Sequence, residues 1–294
     1  MTTERRQMQQ FDIAVRNAPI RPREWERLLG QPDTEALQTA GAEMALVMQQ
    51  GQLHLMFAFE SKEVLTTAFN PMWNALQKRL QQFNVPYVKL DLVAFTVREW
   101  LDPMLEMHGF LSTPEWMDLE HRALVEVTPP EVPAGLSIRR ATADDHDRIV
   151  AIEADSYGAA ADGSEATRVR LADAVWAGVL VEEGAVIGYA INTAPDAGIG
   201  RVLSCAIANE AWGRGLGKVM LGAATYQIAS VEARQAIVRG RPDVPRSLPT
   251  AVAVGYRPGR SGFELRRTTD EKALADRIKQ RQVDGVKVRF GRWH

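Results

Sequence analysis

Apolar and polar positions alternate from residue 136 onward with the periods of strands and helices. Period-two alternation predicts strands at 136–140, 177–181, 186–191, 201–207, 235–238 and 263–267. Helical spacing of apolar residues predicts helices at 144–157, 165–175, 216–230 and 248–254. The second and third strands join at Glu182-Glu183-Gly184, where glycine supplies the positive φ of a hairpin turn. The order β-α-α-β-β-β-α-β-α-β predicts a mixed α/β domain.

The N-terminal half repeats the later part of this order. Its pattern predicts a hairpin of strands 44–49 and 53–60, a helix at 72–83, a strand at 87–93, a helix at 98–107 and a strand at 116–121. The segment Leu105–Phe110 ends in Gly-Phe before a strand, and Ala251–Tyr256 ends in Gly-Tyr before a strand. This parallel indicates a degenerate internal duplication.

A proline-rich segment, Val125–Gly135, separates the two halves. Its three prolines disfavour helix at their own positions and at the residues before them. We therefore predict one domain over residues 1–130 and a second over 131–267. The remaining tail, 268–294, predicts a helix at about 271–281 and a strand at 286–290, which we expect to pack on the N-terminal domain.

Composition and charge narrow the function classes. A net charge of -2 disfavours broad nucleic-acid binding, but residues 131–294 carry 23 Lys/Arg against 20 Asp/Glu, whereas residues 1–130 carry 12 against 17. An anionic ligand is therefore expected in the C-terminal half. No apolar stretch approaches the roughly 20 residues of a membrane span, and the N-terminus lacks a signal-peptide core, so we expect a cytoplasmic protein without a membrane partner. The single cysteine and five scattered histidines predict neither a disulfide framework nor a metal site.

A glycine-rich turn, Trp212–Lys218, follows a predicted strand and opens a predicted helix. Backbone N–H groups converge on an anion at such a junction, and the positive end of the helix dipole adds to the attraction. Glycines at 213, 215 and 217 would let a pyrophosphate approach closely. A dinucleotide fold would place the turn after the first strand of a domain, and here four predicted strands precede it.

Residues Trp212–Gly217 resemble the Gln/Arg-x-x-Gly-x-Gly/Ala loop of the GNAT (Gcn5-related N-acetyltransferase) superfamily, with Trp212 in place of Gln or Arg. Cys205-Ala206-Ile207 resembles the strand through which that family holds pantetheine. The resemblance implies tandem GNAT folds with mixed, mostly antiparallel sheets flanked by helices. It also implies that acetyl-CoA, or another acyl-CoA, binds to Cys205, Ala206, Ile207, Trp212, Gly213, Arg214, Gly215, Leu216, Gly217 and Lys218.

The family's usual catalytic residues are missing. Ala251 stands where the resemblance implies a tyrosine acid, and Arg201 lies where a glutamate is frequent. The remaining candidates for proton transfer are Glu153, Asp155 and Tyr157, with a solvated helix face as the alternative interpretation of this helix. The sequence equally allows water to take the proton, or acyl-CoA binding without efficient turnover.

Two further features carry alternative interpretations. Cys205 is interpreted as a wall of the coenzyme slot rather than a nucleophile, since direct transfer needs no acyl-enzyme. The eight arginines between 234 and 267 indicate either a solvated surface or contacts to the 3′-phosphate of CoA or to an acidic acceptor.

The N-terminal half lacks the glycine turn. The corresponding position reads Phe69–Trp73, which predicts a helix start with Asn70 as N-cap and Pro71 at the first helical position. We therefore expect this half to be GNAT-like without a phosphate loop. The predicted function is an acetyl-CoA-dependent N-acetyltransferase, monomeric or homodimeric, acting on an amine of a small molecule or peptide. The alternative is a catalytically weak acyl-CoA-binding regulatory or scaffold protein.

Overall fold

The structure is a computed structural model that describes residues 15–19, 22–93, 98–158, 161–244, 246–276 and 279. The chain packs as two compact units, the first formed by Met1–Thr113 with Phe263–His294 and the second by Pro114–Gly262. The division at residues 130 and 131 that the prolines predict thus differs from the packing. Residues 114–121 lie with the second unit and residues 263–268 with the first.

The second unit is a sheet with helices packed against it. Its strands run in the order β6-β11-β10-β9-β8-β7, and every pair is antiparallel except β10 with β11. The strands are β6 (Leu111–His121, from Pro114 in this unit), β7 (Leu136–Arg140), β8 (Trp176–Glu182), β9 (Ala185–Asn192), β10 (Ile199–Ile207), β11 (Gln235–Gly240) and the start of β12 (Arg257–Thr268). This arrangement confirms the predicted mixed, mostly antiparallel α/β fold.

The helices of the second unit also follow the prediction closely. They are α4 (His146–Tyr157), α5 (Ser164–Asp173), α6 (Leu216–Ala229) and α7 (Ser247–Val254). Two apolar clusters hold them to the sheet. One joins α6 to residues such as Leu119 and Ala236, and the other joins α4 to residues such as Tyr189 and Ala206. The two clusters lie on opposite sides of the sheet, because successive side chains of a strand alternate between its faces.

The strands of the first unit run in the order β2-β3-β4-β5 followed by the end of β12. The elements of this unit are β1 (Val15–Arg16), α1 (Pro22–Leu29), β2 (Thr34–Thr39), β3 (Ala42–Gln49), β4 (Gln52–Phe59), α2 (Lys62–Gln77), β5 (Tyr87–Val93) and α3 (Arg98–Met107). The predicted hairpin, β5 and α3 are confirmed. The tail is helical over residues 271–276, and its predicted strand at 286–290 lies outside the described residues.

The predicted helix start at Asn70 and Pro71 is wrong. Helix α2 begins at Lys62, its N-cap Ser61 accepts a hydrogen bond from the Val64 amide at 3.2 Å, and Pro71 lies inside the helix. The prediction missed the serine cap and took the proline as the first helical residue. None of the described helices is both long and apolar enough to cross a membrane.

Candidate functional site

A cavity of about 530 Å³ opens in the second unit where two parallel strands separate. β10 pairs with β11 from Ile199 opposite Gln235 to Val202 opposite Val238. Beyond that point residues 203–207 of β10 and Arg239 and Gly240 of β11 line the cavity instead. The carboxyl ends of parallel strands in an α/β sheet are a common place for ligands. The split between the strands therefore defines the candidate site.

The edge of β10 that faces this cavity carries backbone groups of Cys205 and Ile207. Ala208 donates its amide to Ile187 on β9, and alternation along the strand turns the groups of Cys205 and Ile207 the other way. The Cys205 carbonyl accepts a hydrogen bond from Tyr157 Oη at 2.9 Å, and the Ile207 carbonyl accepts one from Trp212 Nε1 at 2.7 Å. An extended ligand with amide groups would meet a strand edge here.

The glycine turn closes one end of the cavity. Gly213 and Gly215 have φ of 83° and 77°, in the left-handed region, and Gly215 is the N-cap of α6. A Cβ at Gly217 would lie 3.3 Å from Thr250 Cγ2 and therefore fits tightly. The first N–H groups of a helix have no acceptor within the helix. Leu216 and Gly217 lie at the cavity and supply two such groups.

Basic side chains lie beside the turn, but Arg214 is not among those that line the cavity. Lys218 and Arg246 line it, and Arg246 Nη1 is 3.9 Å from the position that a Cβ of Gly213 would take. The Arg214 guanidinium instead forms two hydrogen bonds to the Glu182 carboxylate, at 2.8 and 2.6 Å. The structure therefore does not place Arg214 in the cavity wall, and Arg246 is a lining basic residue that the motif did not indicate.

Cys205 lies in the cavity wall among apolar neighbours. Their desolvation of the thiol raises the pKa of Cys205 to about 12. The thiol therefore stays protonated near neutral pH, and a protonated thiol is a poor nucleophile.

Glu153 belongs to a buried polar network, so the solvated-face interpretation of this residue is wrong. Its carboxylate is buried and accepts hydrogen bonds from Tyr189 Oη and, at 2.6 Å, from Ser204 Oγ. Arg170 Nη1 lies 3.6 Å from the same carboxylate and also pairs with Asp162. Of these residues Ser204 lines the cavity. Glu153 is thus connected to the cavity through one hydroxyl group.

The other two predicted candidates differ from each other. Tyr157 ends α4 and lines the cavity, whereas Asp155 is exposed and lies outside the cavity wall. Burial, with a smaller effect of the Glu153 carboxylate, raises the pKa of Tyr157 above its usual range. The phenol therefore keeps its proton near neutral pH.

Ser204, Tyr189 and Arg170 were not predicted from the sequence. They lie on β10, β9 and α5, at positions whose pattern indicated only strand and helix. The sequence signal that could have indicated them is a polar residue inside an apolar stretch of a strand, as Ser204 is in residues 202–207. Ala251, at the position where a tyrosine was expected, is buried and lines the cavity.

Comparisons with known proteins bear on the fold. No protein-family model matches the sequence, and a search of curated proteins found no match. A GCN5-related N-acetyltransferase from Kribbella flavida is similar over 79% of this chain and 89% of its own, with 18% identity and a TM-score of 0.58. One from Sphaerobacter thermophilus is similar over 78% and 77%, with 15% identity and a TM-score of 0.57.

A tandem GNAT protein from the clavulanic acid biosynthesis pathway is similar over 82% of this chain and 85% of its own, with 13% identity and a TM-score of 0.54. This share exceeds the length of either compact unit, so the likeness is not confined to the unit with the glycine turn. Together with the strand order and the split between β10 and β11, it shows that the chain has the tandem fold of the GCN5-related N-acetyltransferases.

Proposed function

We propose that the second unit binds acetyl-CoA, or another acyl-CoA, and transfers the acyl group to an amine of a small molecule or peptide. The observation that carries the proposal is the combination of an open strand edge with a glycine turn at one end of a single cavity. A coenzyme with an amide-bearing arm and a pyrophosphate needs both features in this order. The predicted family resemblance supports the same assignment.

The residues present fit such a ligand. Gly213 and Gly215 adopt positive φ and have no side chains, so the turn is open to a ligand. The amides of Leu216 and Gly217 begin α6. Lys218 and Arg246 would supply positive charge to the phosphates. The backbone groups of Cys205 and Ile207 would take the pantetheine arm, and the hydrogen bonds from Tyr157 and Trp212 to these carbonyls orient the strand edge.

Acyl-CoA, when bound, would supply a thioester at which a carbon–nitrogen bond to the amine replaces the carbon–sulfur bond, and CoA would leave as its thiolate. The amine must lose a proton for this exchange. We assign that proton to Glu153, reached through Ser204 Oγ, because Ser204 lines the cavity and donates to the Glu153 carboxylate at 2.6 Å. Tyr189 and Arg170 hold the carboxylate in place from the other sides.

Tyr157 acts in this proposal as a positioning residue. The pKa of Tyr157 is raised far above that of a thiol, about 8.5, so transfer of its proton to the leaving thiolate is unfavourable. Its hydroxyl group instead donates to the Cys205 carbonyl. Cys205 itself carries no acyl group, since its thiol stays protonated.

The test is release of free thiol from acetyl-CoA, measured with a panel of primary amines, beside calorimetric titration with CoA. We expect CoA to bind and at least one amine to accelerate thiol release. Absence of CoA binding would contradict the proposal entirely.

A second candidate function is acyl-CoA binding without efficient turnover. The observation in its favour is Ala251, a methyl group where the resemblance implies a proton donor. Tight CoA binding with thiol release no faster than in buffer, for every amine of the panel, would select this candidate.

A further inference from the structure

The cavity wall has an uneven charge that the coenzyme explains only in part. Among the described residues that line it there are three basic side chains, Lys218, Arg239 and Arg246, and no aspartate or glutamate. Lys218 and Arg246 lie at the glycine turn, where the phosphates of CoA are proposed to bind. Arg239 lies elsewhere, so its role needs a separate explanation.

Arg239 stands at the closed end of the split between the strands. It follows Val238, the last residue of β11 that pairs with β10. Val238 packs in the apolar cluster on the α6 side of the sheet, and alternation places Arg239 on the opposite side. That side also carries Ser204, whose hydroxyl group bonds to Glu153 on α4. Arg239 and Ser204, which bonds to the proposed proton acceptor Glu153, thus lie at the same end and on the same side of the cavity.

Neighbouring residues hold the Arg239 side chain in a defined place. Its Nε donates to Asp118 Oδ1 at 2.9 Å, and its guanidinium carbon lies 3.8 Å from the ring centroid of Trp116. Arg260 donates to the other oxygen of Asp118 at 3.3 Å. We call these four residues the basic wall. Its three charged groups sum to a net charge of +1, and the side chain of Arg239 is 34% exposed whereas that of Asp118 is 2% exposed.

We propose that the basic wall binds an anionic group of the acceptor, so that the acceptor is an amine that also carries a carboxylate or a phosphate. This inference rests on the proposed acyltransferase function and adds a substrate class to it. A guanidinium matches the geometry of both anions. The amine of such an acceptor would face Ser204 and Glu153, while its anion pairs with Arg239. If the acceptor carried no anionic group, its ammonium group would lie beside the net positive charge of the basic wall, which is electrostatically unfavourable.

The experiment compares matched acceptors in the thiol-release assay. The panel contains L-glutamate beside L-glutamine amide, L-alanine beside L-alanine amide, O-phospho-L-serine beside L-serine amide, and alkylamines that carry no anionic group. We expect KM to be about 10- to 100-fold lower for the best anionic acceptor than for alkylamines, the range of a charge-assisted contact. Arg239→Gln should remove this preference with little change in kcat, and Arg260→Gln should weaken it. Arg257→Gln, an exposed arginine on the same strand as Arg260, serves as the control.

An equilibrium measurement separates failure of this inference from failure of the proposed function. Calorimetry would follow binding of N-acetyl-L-glutamate, N-acetyl-L-alanine and N-acetyl-O-phospho-L-serine to the CoA-loaded protein, with the amides of N-acetyl-L-glutamine, N-acetyl-L-alanine and N-acetyl-L-serine as their neutral controls. Binding of at least one anion that Arg239→Gln abolishes supports the inference. If CoA binds but no anionic compound binds or reacts better than its neutral partner, the basic wall has another role and the acyltransferase proposal stands. Preference for carboxylate or for phosphate in these arms identifies the anion.

Discussion

β4 in the first unit and β10 in the second have equivalent neighbouring strands, but different groups lie beside them beyond the point where their parallel partners end. Each is antiparallel to the strand before it and pairs briefly with a parallel strand, β4 with β5 at Leu53 and His54, and β10 with β11 up to Val202. Beyond these pairs the edge of β10 lines a cavity. The edge of β4 is instead covered by the chain itself, since β1 pairs with it at Phe59 and Ala58.

Asn17 shows what this covering achieves. Its side-chain amide donates to the Leu55 carbonyl at 2.8 Å and accepts from the Phe57 amide at 2.6 Å. Asn17 therefore satisfies on β4 the kind of groups that we propose a pantetheine amide satisfies on β10. The helix starts differ in the same sense, because Ser61 caps α2 with its own side chain whereas Gly215, the N-cap of α6, has no side chain to do so. In the first unit these backbone groups are thus satisfied from within the chain.

The largest expected effect comes from Gly215→Val. The φ of 77° is strained for a branched residue, and the side chain would enter the proposed phosphate position, so CoA affinity should fall more than about 100-fold. Calorimetric titration with CoA measures the change. Gly184→Val is the matched control, because Gly184 has a φ of 84° with open space around it, in a hairpin turn outside the cavity. Equal loss of affinity in both variants would mean that backbone strain, and not the loss of the proposed phosphate position at the glycine turn, explains the result.

The second prediction concerns the proposed proton acceptor in the second unit. Glu153→Gln keeps the shape of the side chain but removes the proton acceptor, so turnover should fall about 100-fold or more while CoA affinity stays unchanged. Asp155→Asn, two residues along the same helix and exposed, should leave turnover within about twofold. Thiol release across the pH range checks both variants. Undiminished turnover in Glu153→Gln would remove Glu153 from the proposed proton path.

A smaller effect is expected from the covered edge of the first unit. Asn17→Ala leaves the Leu55 carbonyl and the Phe57 amide without their partner, which should lower the free energy of unfolding by about 2 kcal/mol. Hydrogen exchange of residues 52–59 measures the loss of protection. Asn74→Ala, on an exposed part of α2, is the control. Unchanged protection would mean that Asn17 does not hold this edge.

The smallest effect is predicted for Cys205→Ala. The protonated thiol forms part of the cavity wall, and its replacement removes one sulfur atom, so turnover should stay within about threefold of the parent. Thiol release together with intact mass after exposure to acetyl-CoA checks this. An acyl adduct on the parent that disappears in the variant along with turnover would show that Cys205 acts as a nucleophile.

Most of the fold was predictable because it depends on local periodicity. The strand Leu136–Arg140 and the hairpin around Gly184 follow from alternation and from turn chemistry. The glycine turn was predictable for the same reason, since glycine at positive φ has a local cause. The buried network around Glu153 was not predictable, because its hydroxyl groups come from Tyr189 and Ser204 on other elements.

The role of Asn17 was hidden in the same way. Its hydrogen bonds join residues that are 38 and 40 positions apart in the sequence, and no local pattern indicates such a contact. The helix start at Ser61 depends on a local capping contact, but it was missed. The later pair Asn70-Pro71 has the sequence of a helix start although it lies inside a continuous helix. Polar contacts between distant elements are thus the part of the site that the amino-acid pattern leaves open.

We propose that the open edge of β10 and its glycine turn form a coenzyme site, whereas the covered edge of β4 does not. Calorimetric titration of the full chain with CoA counts the sites. We predict one binding site per chain, lost in Gly215→Val and retained in Asn17→Ala. Two equivalent sites per chain, or one site that survives in Gly215→Val, would contradict this account.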